Sequence, residues 1–269
     1  MRFRALMLAA ALAIPGAAVM PVSGFAADKA LAMAVASPNR PAGDKARDGA
    51  RHPAASLEFW GLKPGQTVIE IAPGGGYWSE ILAPYAKETG GRYTAATGRP
   101  DQKLPEKFNN TAVYGPVHYT VFNKDSGPLG APASADMVLT ARNLHNWIPD
   151  GFADKAMKDF YAVLKPGGIL AFEEHRADPK PEASNLNTGY VSTQHVIDLA
   201  TKAGFKLEAK SEINANAKDT KDHPFGVWTL PPVRRSAPQG QPADPKFDHT
   251  KYDAIGESDR MTLRFRKPA

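Results

Sequence analysis

Two short stretches carry residue types that could do chemistry: Glu70-Ile71-Ala72-Pro73-Gly74-Gly75-Gly76 and Arg142-Asn143-Leu144-His145-Asn146-Trp147. In the first, the glycines let the backbone approach a ligand closely, and a helix starting straight after them offers free N–H groups. Glu70 falls inside an apolar run, where an unpaired charge is costly, so it needs a partner. In the second, His145 is a proton acceptor suited to neutral pH, and Glu173, Glu174 and His175 follow later in the chain. A base with a pKa near working pH suits removal of a hydroxyl proton. His118, His145, His175, His195 and His223 share no ligand-pair spacing, so no dedicated metal site is expected. The chain has no cysteine, which excludes disulfides, thiol nucleophiles and thiolate metal sites.

The surrounding sequence must place these stretches on one crevice. Val68, Ile69 and Ile71 read as a short buried strand, and Pro73 to Gly76 break it. Tyr77 to Tyr85 reads as a helix, with Trp78, Ile81, Leu82 and Tyr85 at three- and four-residue spacing. Pro53 starts an earlier helix that carries Leu57, Phe59 and Trp60, and Gly61 to Gly65 end it. Further strands are expected over 92–96, within 113–121, over 135–141, over 169–172, over 205–209 and over 261–266. Helices are expected over 154–164 and 192–203. The run Lys165-Pro166-Gly167-Gly168 reads as a turn between helix and strand. In open α/β sheets the ligand crevice lies beyond the carboxyl ends of the strands, so the glycine turn and the His145 turn would face it together. Arg47, Asp48, Arg51 and His52 form a charged cluster, solvated by default, with a substrate role as the sharper reading. The same pair of readings applies to Lys218–His223 and to Gly189 and Tyr190.

The stretch from Glu70 to Gly76 resembles the first motif of class I S-adenosylmethionine-dependent methyltransferases, an acid followed by alternating glycines. Gly74 and Gly76 match, and Ala72 stands where that family has its first glycine. The dinucleotide fingerprint fits less well, because Ser79 falls on its third glycine. The resemblance spans roughly 57–267. It implies an α/β, Rossmann-like seven-stranded sheet of order 3-2-1-4-5-7-6, last strand antiparallel, with helices on both faces. A long Pro-rich insertion, 211–260, would precede the last strand as a loop or lid, mobile over 231–246.

The resemblance implies S-adenosylmethionine as cofactor and Glu70, Ala72, Pro73, Gly74, Gly75, Gly76, Tyr77, Thr97, Arg142 and Asn143 as its binding residues. The family's ribose-binding acid has no counterpart at Ala96-Thr97, the largest departure from the pattern. RNLHNW followed by LKPGGILAFEEH is also similar to small-molecule O-methyltransferases. On that likeness His145 falls on the catalytic base, Trp147 on the family's tryptophan and Glu174 on the orienting acid, with Asn146 where an aspartate is usual. RHPAASLEFWGLKPG, KDTKDHPFGVWTLPP and AIGESDRM are similar to stretches of uncharacterised methyltransferases that carry signal peptides. The reading is a methyltransferase acting on a small molecule. The alternative is a non-catalytic ligand-binding protein of the same fold, and a dinucleotide oxidoreductase stands third.

The 269 residues, 42% apolar, suffice for one domain with appendages. Met1 to Ala26 reads as a secretory leader: Arg2 and Arg4 supply the positive start, an apolar run follows, and Gly24-Phe25-Ala26 offers a cleavage site. Export to the periplasm or medium follows from that reading, with no stable membrane anchor after cleavage. Asp28 to Ala50, rich in alanine and proline, is expected as a loose or partly helical lead-in. The net charge of +5 falls to about +3 without Arg2 and Arg4, too little and too dispersed to indicate nucleic acid.

Overall fold

The computed structural model describes residues 28–179 and 186–269, so the leader reading of Met1 to Ala26 lies outside the described residues. Seven strands form one sheet: β1 (Thr67–Ile71), β2 (Arg92–Thr97), β3 (Val117–Val121), β4 (Ala135–Ala141), β5 (Leu164–His175), β6 (Lys206–Ser211) and β7 (Arg260–Arg266). Their order is β3-β2-β1-β4-β5-β7-β6, as the resemblance implied. The first five pair in parallel, and β7 runs antiparallel to both β5 and β6. Strand order reverses between β1 and β4, so the turns leaving these two strands border one crevice.

Each face of the sheet buries its own apolar core, because a sheet this apolar must be covered on both sides. On one face α8 (Ala153–Val163) and α9 (Thr193–Lys202) bring Met157, Phe160 and Val196 against Ile71, Val138 and Phe172. Trp147 joins this core from α7 (Leu144–Trp147), which fixes the turn that carries His145. On the other face α5 (Ser79–Thr89) brings Ile81, Leu82 and Tyr85 against Val68, Ala95 and Met137.

The lead-in is folded and helical. α1 (Lys29–Ala36) is capped by Asp28, whose carboxylate accepts from the N–H groups of Ala30 and Leu31, and Leu31 and Ala34 are buried against α5. Two single turns follow, α2 (Ala42–Lys45) and α3 (Asp48–Arg51), then α4 (Pro53–Trp60) with proline at its first position. Trp60 Nε1 donates to the Leu263 carbonyl at 3.1 Å and ties α4 to β7. α6 (Thr111–Tyr114) takes up the first part of the stretch expected to hold the third strand.

The turn expected over 165–168 falls inside β5: Leu164 already pairs with Ala135, Gly167 is left-handed at φ +76°, and a register shift carries the chain to Ile169, which pairs with Met137. The stretch expected as a loop or lid, 211–260, joins β6 to β7 mainly as turns and irregular chain. It contains α10 (Thr250–Ile255) and buries Asn214, Asp219, His223, Leu230, Glu257, Ser258 and Asp259. Asp219 organises it, accepting from Tyr190 OH at 2.8 Å, from the Asp259 N–H at 2.7 Å and contacting His223 Nε2 at 2.8 Å.

Candidate active site

The turn after β1 is built for close approach. Gly74 has φ +57° and Gly76 φ +93°, both left-handed, where glycine carries no side-chain penalty. A β-carbon on Gly74 would meet nothing within 4 Å, so the space beside it is open. A β-carbon on Gly76 would come within 2.8 Å of the Phe108 ring, so Gly76 serves packing. Ala72, where the resemblance expects glycine, keeps the left-handed shape at φ +48°. Arg142, in the facing turn after β4, is left-handed too at φ +61°. Two non-glycine residues thus hold strained backbone on facing walls, a feature that clusters at ligand sites.

Glu70 is 2% exposed and supports this turn from below. Its Oε2 accepts from Ser79 Oγ at 2.7 Å and Tyr93 OH at 2.6 Å, which binds β1 to β2 and to the start of α5. Burial pushes its pKa up to about 7 in spite of those two donors.

A cavity of ≈ 370 Å³ opens above the turn. Of the ten residues the resemblance assigns to a cofactor, Glu70, Ala72, Pro73, Gly74, Gly75, Tyr77, Arg142 and Asn143 line it, and Gly76 and Thr97 do not. Thr97 is buried at the end of β2 with its hydroxyl donating to the Arg99 carbonyl at 3.2 Å. Asn143 is held by its Nδ2, which donates to the Ile71 carbonyl at 3.1 Å, so it braces the two turns. Tyr77 is fixed by donating to Asp48 Oδ1 at 2.7 Å, and Asp48 in turn pairs with Arg40 at 2.7 Å.

His145 and Glu174 meet as the sequence expected. Glu174 Oε1 lies 3.0 Å from His145 Nδ1, and Oε2 accepts the His145 backbone N–H at 3.2 Å. The His175 N–H adds a third donor, to Oε1 at 2.9 Å. A carboxylate only accepts, so His145 Nδ1 carries the proton that faces Glu174, and in the neutral ring the lone pair is then on Nε2. The His145 ring lies 5.2 Å from that of His175 and edge-on to Trp228 at 5.8 Å, between centroids. His175 Nδ1 is 2.6 Å from Ser258 Oγ. Burial, then His145, Arg142 and Arg260, hold the His175 pKa well below its usual range, so that ring is neutral.

His145, Glu174 and His175 also each offer one possible metal-ligand atom within 4.8 Å of the others, a proximity that spacing along the chain did not signal. In the fold the Glu174 oxygens accept three N–H donors, two from His145 and one from His175.

Several site residues escaped the sequence reading. Arg51, in the cluster read as solvated by default with a substrate role as the sharper alternative, is 1% exposed and lines the cavity with Arg47. Their spacing of four, which sets two side chains on one helix face, was the available signal. Glu257 is buried beneath them and accepts from Arg47 at 3.0 Å, Arg51 at 2.9 Å and Arg260 at 3.0 Å. Asn214 donates to Glu173 Oε2 at 3.0 Å and faces His52 Nδ1 at 3.2 Å. Nothing local marks Glu257 or Asn214, because the long connection delivers them.

This fold and this pair of facing turns define the class I methyltransferase architecture. No protein-family model matches the chain. The ubiquinone/menaquinone biosynthesis C-methyltransferase UbiE of Haemophilus ducreyi is 32% identical over 135 residues, 49% of this chain and 51% of that protein. The Escherichia coli enzyme of the same name is 32% identical over 140 residues, 51% and 54%. The chain thus spans about half the length of the curated relatives it matches. Among solved structures, the [4+2]-cyclase SpnF aligns at TM-score 0.55 and 16% identity over 82% of this chain and 81% of that one. A putative methyltransferase from Bacillus halodurans aligns at 0.54 and 16%, covering 81% and 100%. An Aquifex aeolicus SAM-dependent methyltransferase aligns at 0.52 and 20%, covering 67% and 91%. At these identities the structures speak for the fold, and the cyclase shows that the fold hosts more than one reaction.

Proposed function

We propose that the chain is an exported S-adenosylmethionine-dependent methyltransferase acting on a small molecule, with His145 as the base for a hydroxyl acceptor. The observation that carries the reading is the open cavity over Gly74, walled by the turns after β1 and β4, with the oriented His145–Glu174 pair two residues beyond Asn143. The half-length likeness to C-methyltransferases and the shared fold support the methyltransferase part of it.

The donor residues fit the cofactor: left-handed glycines give room for close approach, and guanidinium groups line the wall. When bound, S-adenosylmethionine supplies a methyl group already activated on a sulfonium. What remains for the protein is alignment, worth about 7–11 kcal/mol in well-oriented intramolecular models, and removal of the acceptor's proton. His145 Nε2 is the atom placed to take that proton, with Glu174 holding the ring through Nδ1 and the flanking N–H. Trp228 and His175 bound the ring and limit the water around it.

Calorimetric titration with S-adenosylmethionine, S-adenosylhomocysteine and NAD tests the reading. Binding of the first two without NAD is expected, and preference for NAD would overturn it. Export rests on the Arg2/Arg4 start and the apolar run after it; a secreted-fraction protein still beginning at Met1 would contradict cleavage near Ala26. Among the described residues no helix is long and apolar enough to cross a membrane.

One observation favours the second reading, a ligand-binding protein without catalysis. The end of β2 offers Thr97, turned toward Arg99, where the family's ribose acid would stand. Turnover of any acceptor that depends on His145 would exclude it.

A further inference from the structure

Three arginines line the cavity, and their interior partners do not satisfy them. Arg51 spends its Nε on Glu257, at 3.0 and 2.9 Å from the two oxygens. Its Nη1 and Nη2 are buried and bond to nothing among the described residues. Arg142 Nε is likewise buried without a hydrogen-bond partner, with Glu173 at 3.8 Å as its nearest carboxylate. Arg47 shares Glu257 and reaches Asp44 at 3.3 Å. Arg260, behind the wall, draws on the same two acids, at 3.0 Å from Glu257 and 3.3 Å from Glu173. Four guanidiniums therefore divide two interior carboxylates, and Arg51 and Arg142, whose donors are left over among the described residues, line the cavity.

A buried donor left unpaired is costly, and a guanidinium costs more than an amide. The Tyr77 ring, 4.5 Å from the Arg51 guanidinium carbon, offsets part of the charge but offers the two Nη groups no lone pair in plane. A planar oxyanion offers what is missing: two oxygens at the spacing of the guanidinium fork. The only lining carboxylates are Asp44 and Glu70, and Glu70 is already held by Ser79 and Tyr93. With Asp44 on the wall the positive excess is small, which suits a monoanion rather than a phosphate dianion.

We propose that Arg51, supported by Arg47 and Arg142, receives the α-carboxylate of the cofactor's amino-acid end. Affinity is then concentrated at that end, which explains how the chain does without an acid at Ala96-Thr97. The inference rests on the cofactor reading above.

Calorimetry with S-adenosylhomocysteine and with 5′-methylthioadenosine, which shares the nucleoside and sulfur but lacks the amino-acid end, tests it. Methylthioadenosine should bind the wild-type chain at least tenfold more weakly. Arg51→Met should weaken S-adenosylhomocysteine about 10- to 100-fold, the worth of charge-assisted hydrogen bonds, and leave methylthioadenosine unchanged. Glu257 keeps Arg47 and Arg260 in that variant, so its own charge stays paired. If Arg51→Met does not fold, Arg51→Lys, which keeps the charge and loses the fork, and Arg142→Gln carry the same comparison. Unchanged S-adenosylhomocysteine affinity in folded variants, or equal affinity for the two nucleosides, overturns the inference and leaves the cofactor reading standing. Wild-type protein that binds neither nucleoside overturns the cofactor reading and this inference with it.

Discussion

The two ends of the crevice are built in opposite ways. At the glycine turn, the wall carries strained backbone at Ala72 and Arg142 and buried guanidinium nitrogens with no partner. At the His145 end, Glu174 accepts three donors, His175 is met by Ser258, and Trp228 closes against the imidazole. Unpaired donors and strain reduce stability and persist where a ligand relieves them. A satisfied network holds one side chain in one geometry, which a base needs. Under the proposed function the first end receives the cofactor and the second acts on the acceptor.

The largest effect expected from this contrast is at Gly74. Gly74→Val puts a branched side chain at φ +57° into the open space over the turn. The protein should lose nucleoside binding altogether, read by calorimetry on folded material; full affinity would remove the cavity from the account. Next is the other end. With a hydroxyl acceptor in hand, His145→Ala should cut turnover by roughly 10²–10⁴-fold. Glu174→Gln should cost less, because the group orients the base and takes no proton itself. Initial rates at saturating acceptor would show it, and an equal loss in both variants would make Glu174 part of the chemistry.

A smaller effect concerns Glu70, and here pH gives the sign. Burial raises its pKa from 4.5 to about 7. The folded state therefore holds the proton more tightly than the unfolded chain. The matching stability is fully present below about 4.5 and is lost as pH rises toward about 7. Glu70→Gln, neutral throughout, should gain on wild type over that window by about 3 kcal/mol, the value of a shift of this size. Denaturant midpoints measured across pH would reveal it, and parallel curves would mean that Glu70 stays ionised in the fold. The smallest effect is at Ala72, left-handed at φ +48°. Ala72→Gly should stabilise by roughly 0.5–1 kcal/mol by relieving that strain, visible as a raised melting temperature; a lowered one would mean that the alanine methyl group packs against something essential.

The same contrast explains what the sequence made legible. Local signals carried the glycine turn, which is written within a few residues of a strand end, and the resemblance supplied the strand order and the pairing of His145 with Glu174. LKPGG signalled its turn but not where the strand begins: Leu164 already pairs with Ala135, so the turn falls within β5 and not before it. Arg51 reads as solvated by default because a charged cluster near the start of a helix normally is. Its burial depends on Glu257, more than two hundred residues away along the chain. Asn214, Ser258 and Asp259 arrive by the same long connection, whose prolines and charges read locally as an exposed loop. Contacts of this range leave no periodic trace in either partner, so spacing arguments do not reach them.

The separation of the two ends is the centre of this account, and one titration tests it most directly. S-adenosylhomocysteine should bind wild-type protein and the His145→Ala variant with the same affinity, because the imidazole belongs to the acceptor side and contributes nothing to the cavity over Gly74. Wild-type binding that disappears when His145 is removed would show that the imidazole holds the nucleoside, and the division into a receiving end and an acting end would be wrong.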